Sequence, residues 1–158
     1  MKRVEAVSDA ANPYMTAALA AARRALLAGE PPIGASLVRN GALLATCATS
    51  VVGSVDVTAH AEINVIREAT ARLRSLTLEG TELYVTVEPC PMCIGACHYA
   101  GIQRIFFGAS IADLDAWTHN ELTTRLASTA QLPEMQGGLM RRESLDLLDA
   151  WGAARGRR

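Results

Sequence analysis

Cysteine is scarce in this chain, with four residues in 158, too few for the disulfide framework of a small secreted scaffold. No apolar run approaches the roughly 20 residues a membrane-spanning helix needs. The opening stretch MKRVEAVSDAANPY lacks the apolar segment of a secretory signal, and Glu5 and Asp9 argue against a transit peptide. Positive charge is not in excess: the net charge is −1, whereas a nucleic-acid binder usually carries a basic surplus or face. The arginine pairs at 23–24 and 141–142 and the terminal RGRR read most simply as solvated surface. Aromatics are few, at three tyrosines, two tryptophans and two phenylalanines, so any subunit interface must rest mainly on aliphatic side chains. With these absences the expectation is a soluble, cytoplasmic protein. A length of 158 residues, half of them hydrophobic, suits a single domain over 1–158.

The chain alternates between helical and extended patterns. A helix is predicted from Pro13 to about Ala28, with Met15, Ala18, Leu19, Ala22 and Leu26 on one face, stopped by GEPP. IGASLVRNGALLATCAT reads as two strands about an Asn-Gly turn. AHAEINVIREATARLR is helical, with Ile63, Ile66 and Leu73 inward. TELYVTV is a strand, CPMCIGACHYAG a short helix closed by Gly101, and QRIFFGAS a further strand. Residues 110–138 are ambiguous; LMRRES reads as a last strand and SLDLLDAWGAA as a last helix. Such alternation predicts a layered α/β domain with a mixed sheet, in which the strands at 83–87 and 104–108 run parallel.

Three of the four cysteines crowd into VEPCPMCIGACHYAG, residues 87–101. Cys90 and Cys93 sit three apart at a predicted helix start, where Pro is tolerated and the helix dipole favours thiolates. Two thiolates are half a zinc site. A structural zinc site would need four protein ligands, and a redox pair would need a thioredoxin-like context. His60, opening the preceding helix, is the best third ligand; His98 lies a turn further along its own helix and His119 in the ambiguous region. Three ligands leave a position open for water, which is the catalytic pattern. Glu62 can share that site without binding metal, taking a proton from the water and passing it to a leaving amine.

The pair H-A-E at 60–62 and P-C-P-M-C at 89–93 resembles the zinc-dependent cytidine deaminase superfamily, whose signature is H-x-E followed by P-C-x-x-C. TAHAEI and LYVTVEPCPMCIGA look most like the branch of guanine deaminases, cytosine deaminases of the fungal type and bacterial tRNA adenosine deaminases. The resemblance implies a cytidine deaminase-like three-layer α/β/α sandwich around a mixed five-stranded sheet. It implies one Zn²⁺ per chain on His60, Cys90 and Cys93, Glu62 as proton shuttle, the Ala61 N–H as a substrate contact, and a homodimer. Cys97 is expected to be a small buried helix residue. Relatives of this branch usually carry an asparagine where this chain has Thr49, which makes Thr49 a candidate substrate-binding residue.

The resemblance further implies a hydrolase that releases ammonia from an amino-substituted ring. The acidic charge balance and the stretch ADLDAW, in which Asp113 matches an active-site acid of guanine deaminases, favour a free nucleobase or related heterocycle as substrate. The alternatives are a tRNA-specific adenosine deaminase and, from a different class, a non-enzymatic zinc-binding module with Cys97 or His98 as fourth ligand.

Overall fold

A computed structural model describes residues 12–118 together with Met140, Arg141 and Leu145. The chain divides into two compact units, a smaller one of residues 125–158 and a larger one of residues 1–124. Its elements are α1 (Pro13–Leu27), β1 (Gly34–Arg39), β2 (Ala42–Ala48), α2 (Ala61–Leu73), β3 (Thr81–Val87), α3 (Pro91–Ala100), β4 (Arg104–Ala109) and α4 (Ile111–Thr118).

The hairpin forms at the predicted turn, where Asn40 and Gly41 both take positive φ, the backbone that a two-residue connection between twisted strands requires. β1 pairs antiparallel with β2 on one side and β3 on the other, and β3 pairs parallel with β4. The sheet order is β2-β1-β3-β4. Among the described residues it therefore has four strands rather than the expected five. Met140 lies in a turn and Arg141 is helical, so neither is part of the last strand expected over LMRRES, and the other residues of that segment lie outside the described residues. Leu145 is helical, and the rest of the expected final helix lies outside the described residues, as do His119 and most of 110–138. Within that ambiguous stretch α4 forms because Ser110 and Asp113 cap it reciprocally: Ser110 N–H donates to the Asp113 carboxylate (2.8 Å) and Asp113 N–H to Ser110 Oγ (3.1 Å).

Alternation along the strands builds three layers. Ala35 and Leu37 of β1 and Leu83 and Val85 of β3 join Ala61, Val65 and Ala69 of α2 and Cys97 and Ala100 of α3 in one buried core. The opposite face meets α1: Ser36 Oγ donates to the Tyr14 carbonyl (2.8 Å), and Tyr84 stacks on Phe106 and meets Tyr14 at a tilt. Two helix faces differ from the sequence reading. α1 buries Ala18, Ala21, Ala22 and Ala25, while Leu19 and Leu26 are exposed. Small side chains win because the helix lies directly on the strand; a Cβ at Gly34 would fall 2.1 Å from the Ala18 carbonyl oxygen. α2 likewise turns Ala61, Glu62, Val65 and Ala69 inward; of the expected inward residues Ile66 packs against the core, while Leu73 is exposed.

The connection from β2 to α2 carries its own turn. The Glu30 carboxylate accepts from Val52 N–H (2.9 Å) and Gly53 N–H (2.6 Å). Val55 N–H donates to the Val52 carbonyl and Asp56 N–H to that of Val51, both at 3.2 Å, the bond pair that ends a helical turn on a left-handed residue. That residue is Val55, with φ 50° and its side chain in solvent, where a β-branched residue is disfavoured. Val55→Gly should stabilise the protein by about 1 kcal/mol, the left-handed penalty less the greater chain entropy of glycine. Chemical denaturation of both proteins tests this; an equal or lower midpoint for the glycine variant would refute it.

Candidate active site and metal centre

Two helices begin at one place. His60 is the N-cap of α2 and Cys90 the N-cap of α3, both with extended backbone. Pro91 starts α3 with a fixed φ suited to a first turn, and Cys93 follows within that turn. The parallel pairing of β3 with β4 sets α3 as a crossover, and the shared core sets α2 beside it.

The outcome is a cluster of three donors. His60 Nδ1 lies 3.7 Å from Cys90 Sγ and 3.6 Å from Cys93 Sγ, and all three ligand atoms lie within 4.8 Å of one another. Tetrahedral zinc with bonds of roughly 2.3 Å to sulfur and 2.0–2.1 Å to nitrogen puts those atoms about 3.6 Å apart. Two soft sulfurs and one imidazole are also the donor set zinc favours. The residues fit the ion in both spacing and chemistry.

Electrostatics agree. The hydrogen bond from the Cys93 thiol, and after it His60, holds the Cys90 thiol down at about 4, against the opposing effect of burial. Cys93 is pushed up by its bond to Cys90 and by burial. The imidazole of His60 is raised, first by its bond to Cys90. Glu62, only 3 % exposed, has its carboxyl raised by burial, opposed by its own N–H and by His60. A carboxyl shifted towards neutrality suits a group that must both take and release a proton.

The other candidates fall into distinct places. Ala61 is fully buried as the first residue of α2, where a helix leaves N–H groups without intrahelical partners. Thr49 is buried one residue past the end of β2, its hydroxyl donating to the Ala59 carbonyl (3.2 Å). Asp113 is exposed and engaged with Ser110, which holds its carboxyl below the usual range. Cys97 packs in the core, and His98 is exposed with its ring edge-on to Tyr99. Neither joins the cluster, so the fourth ligand of a closed structural site is not among these two. Cys47 donates to Glu68 (3.0 Å), and burial with that carboxylate pushes its thiol up to about 12.

Sequence reasoning missed three polar residues. Glu30 holds the 52–53 turn. Glu88, inside the cysteine motif, accepts from Ile111 N–H (3.0 Å) and so ties that motif to α4. Asn64 Nδ2 bonds the Ala48 and Ala59 carbonyls and Ser50 Oγ. The acidic pair was visible as charge beside a Pro, but the backbone partners are 22 and 23 residues away.

Comparison with known proteins follows the same residues. Positions 8–109 match the cytidine and deoxycytidylate deaminase zinc-binding region. A tRNA-specific adenosine deaminase of Agrobacterium fabrum is 38% identical over 135 residues, covering 85% of this chain and 89% of the relative. Its counterpart in Aquifex aeolicus is 44% identical over 96 residues, 61% of this chain and 64% of the relative, so that match spans less than two thirds of its length. The X-ray structure of guanine deaminase from Bacillus subtilis superposes with a TM-score of 0.76 at 32% identity, covering 88% of this chain and 91% of the other.

The geometry separates the three clustered cysteines. Cys97→Ala should keep one zinc per chain, whereas Cys90→Ala and Cys93→Ala should each lose most of it. Elemental analysis of the purified variants decides; equal loss in all three would overturn the three-donor site.

Proposed function

The chain belongs to the cytidine and deoxycytidylate deaminase zinc-binding family, a zinc-dependent hydrolase of that kind, and from this we propose that it deaminates adenosine to inosine in a tRNA. The single observation that carries the substrate is the 38% identity to a tRNA-specific adenosine deaminase across 89% of that protein. The free nucleobase favoured by charge balance and by ADLDAW takes second place. It keeps one specific support, the likeness to guanine deaminase over 88% of the chain.

When bound, zinc supplies Lewis acidity that makes a water nucleophilic near neutral pH. His60, Cys90 and Cys93 would hold it. Glu62 takes a proton from the attacking water on a carboxylate oxygen and delivers it to the departing amine, so that ammonia leaves and a ring carbonyl remains. Its burial keeps bulk water from competing for that proton. The Ala61 N–H, at the positive end of α2, donates to an acceptor atom on the edge of the ring. Thr49 borders the same α2 approach. With its proton committed to Ala59, its hydroxyl offers the ring lone pairs only. Asp113 enters under the guanine reading, and to meet the base its carboxylate must release Ser110. A homodimer forms part of the proposal, with Met92, Ile94 and Tyr99 exposed along α3.

Purified protein offered a tRNA transcript and free guanine in parallel tests the assignment. Inosine in the tRNA, with little xanthine from guanine, is expected. The reverse pattern, combined with loss of guanine turnover in Asp113→Asn, would install guanine as the substrate. Glu62→Gln should lower turnover at least about 100-fold, in the range general acid–base catalysis supplies, while keeping zinc. Loss of metal together with activity would make Glu62 a structural residue.

A further inference from the structure

His60 is a metal ligand at the end of an irregular connection, residues 49–59, and something must hold it on the two sulfurs. One side chain reaches every part of that connection's neck. Asn64, half-buried one turn into α2, directs Nδ2 at the Ala48 carbonyl (2.9 Å), Ser50 Oγ (3.1 Å) and the Ala59 carbonyl (3.3 Å). Its backbone N–H donates to the His60 carbonyl (2.9 Å). The two carbonyls can only accept, so the amide nitrogen must face them. Asparagine is a poor choice inside a helix unless its side chain has such work. Here it ties the last residue of β2, the second of the connection, and the residue directly before His60.

The bonding is uneven in a way that separates holding the fold from holding the ligand. The Ala59 carbonyl receives three donors, Ser50 N–H (2.9 Å), Thr49 Oγ1 (3.2 Å) and Asn64 Nδ2, but has two lone pairs. Removal of the Asn64 amide still leaves that buried carbonyl satisfied by Ser50 and Thr49. The lost links are the lateral ones, to Ala48 and Ser50, which fix the His60 end of the loop against β2. The core side of α2, made of Ala61, Val65 and Ala69, is untouched.

We infer that Asn64 is a positioning residue for the metal centre: its side-chain amide closes the neck of the 49–59 connection and so fixes His60 on Cys90 and Cys93. Partners that orient a metal ligand typically contribute 10- to 100-fold in metal affinity or activity. The inference concerns the ligand set alone and stands whichever ring substrate proves correct.

The experiment compares wild type with Asn64→Leu, which keeps approximate volume and loses the amide, and Asn64→Asp, which sets a carboxylate against three oxygens. Zinc release from the folded, zinc-loaded protein to a chromogenic chelator is timed. The visible spectrum of the cobalt-substituted protein reports ligand geometry. Thermal unfolding is followed after chelation. Zinc release about 10- to 100-fold faster in both variants, a changed cobalt spectrum, and little change in the unfolding midpoint are expected. Release and spectrum matching wild type in either folded variant would overturn the inference. So would a lowered midpoint with unchanged release, which would make Asn64 a fold residue only. Should Asn64→Leu fail to fold, Asn64→Asp carries the same two decisive readouts.

Discussion

The structure turns on the meeting of two helix N-termini. α2 and α3 each begin with a residue of the three-donor cluster at the N-cap, and neither side chain caps its own helix. That arrangement has a cost. A conventional Ser, Thr, Asp or Asn cap is worth about 1 kcal/mol, and two helix ends, each carrying roughly half a positive charge, face each other across the cluster. Sulfur resolves the conflict: a thiolate at Cys90 sets negative charge between the two dipoles. The sheet then has to aim both helices, which it does through the parallel β3–α3–β4 crossover and the shared core under α2 and α3. Fold and centre are thus one problem, and the buried carboxyl of Glu62 belongs to both.

Much of this was legible in the chain. Strands β1, β2 and β3 follow from short β-rich runs and an Asn-Gly turn, and α3 from a proline at its start and a glycine past its end. His60, Cys90 and Cys93 were readable because metal ligands are few, chemically distinct and local in pairs. The inward faces of α1 and α2 were not. Periodicity weights large aliphatics, whereas both helices approach the sheet on alanines and leave leucines outside. α4 could have been read from S-x-x-D at 110–113, a capping signal without an apolar run behind it to draw the eye.

Glu30, Glu88 and Asn64 were illegible for a different reason. Each satisfies backbone groups, which carry no sequence identity, at separations of 16 to 23 residues for the links between elements. Only the fold brings those peptide groups to them. The irregular segment 49–59 is organised by such bonds, from Glu30 at its 52–53 turn and from Asn64 where it leaves β2 and where it meets His60, and it delivers His60 without any apolar core of its own.

The seam between α1 and β1 has an evolutionary corollary. Ordinary cores suffer most when side chains shrink and leave cavities. This seam is made of alanines and a glycine, with Gly34 against the Ala18 and Ala22 backbone, so almost nothing can be removed from it. Its vulnerability runs the other way, towards growth: even one methyl at Gly34 must displace main chain. Drift here is confined to the smallest residues, and the helix is free to vary only on its solvent side. Because β1 is central in the sheet and borders the strand that leads into Cys90, a spacing set by missing side chains acts as a gauge for the whole domain.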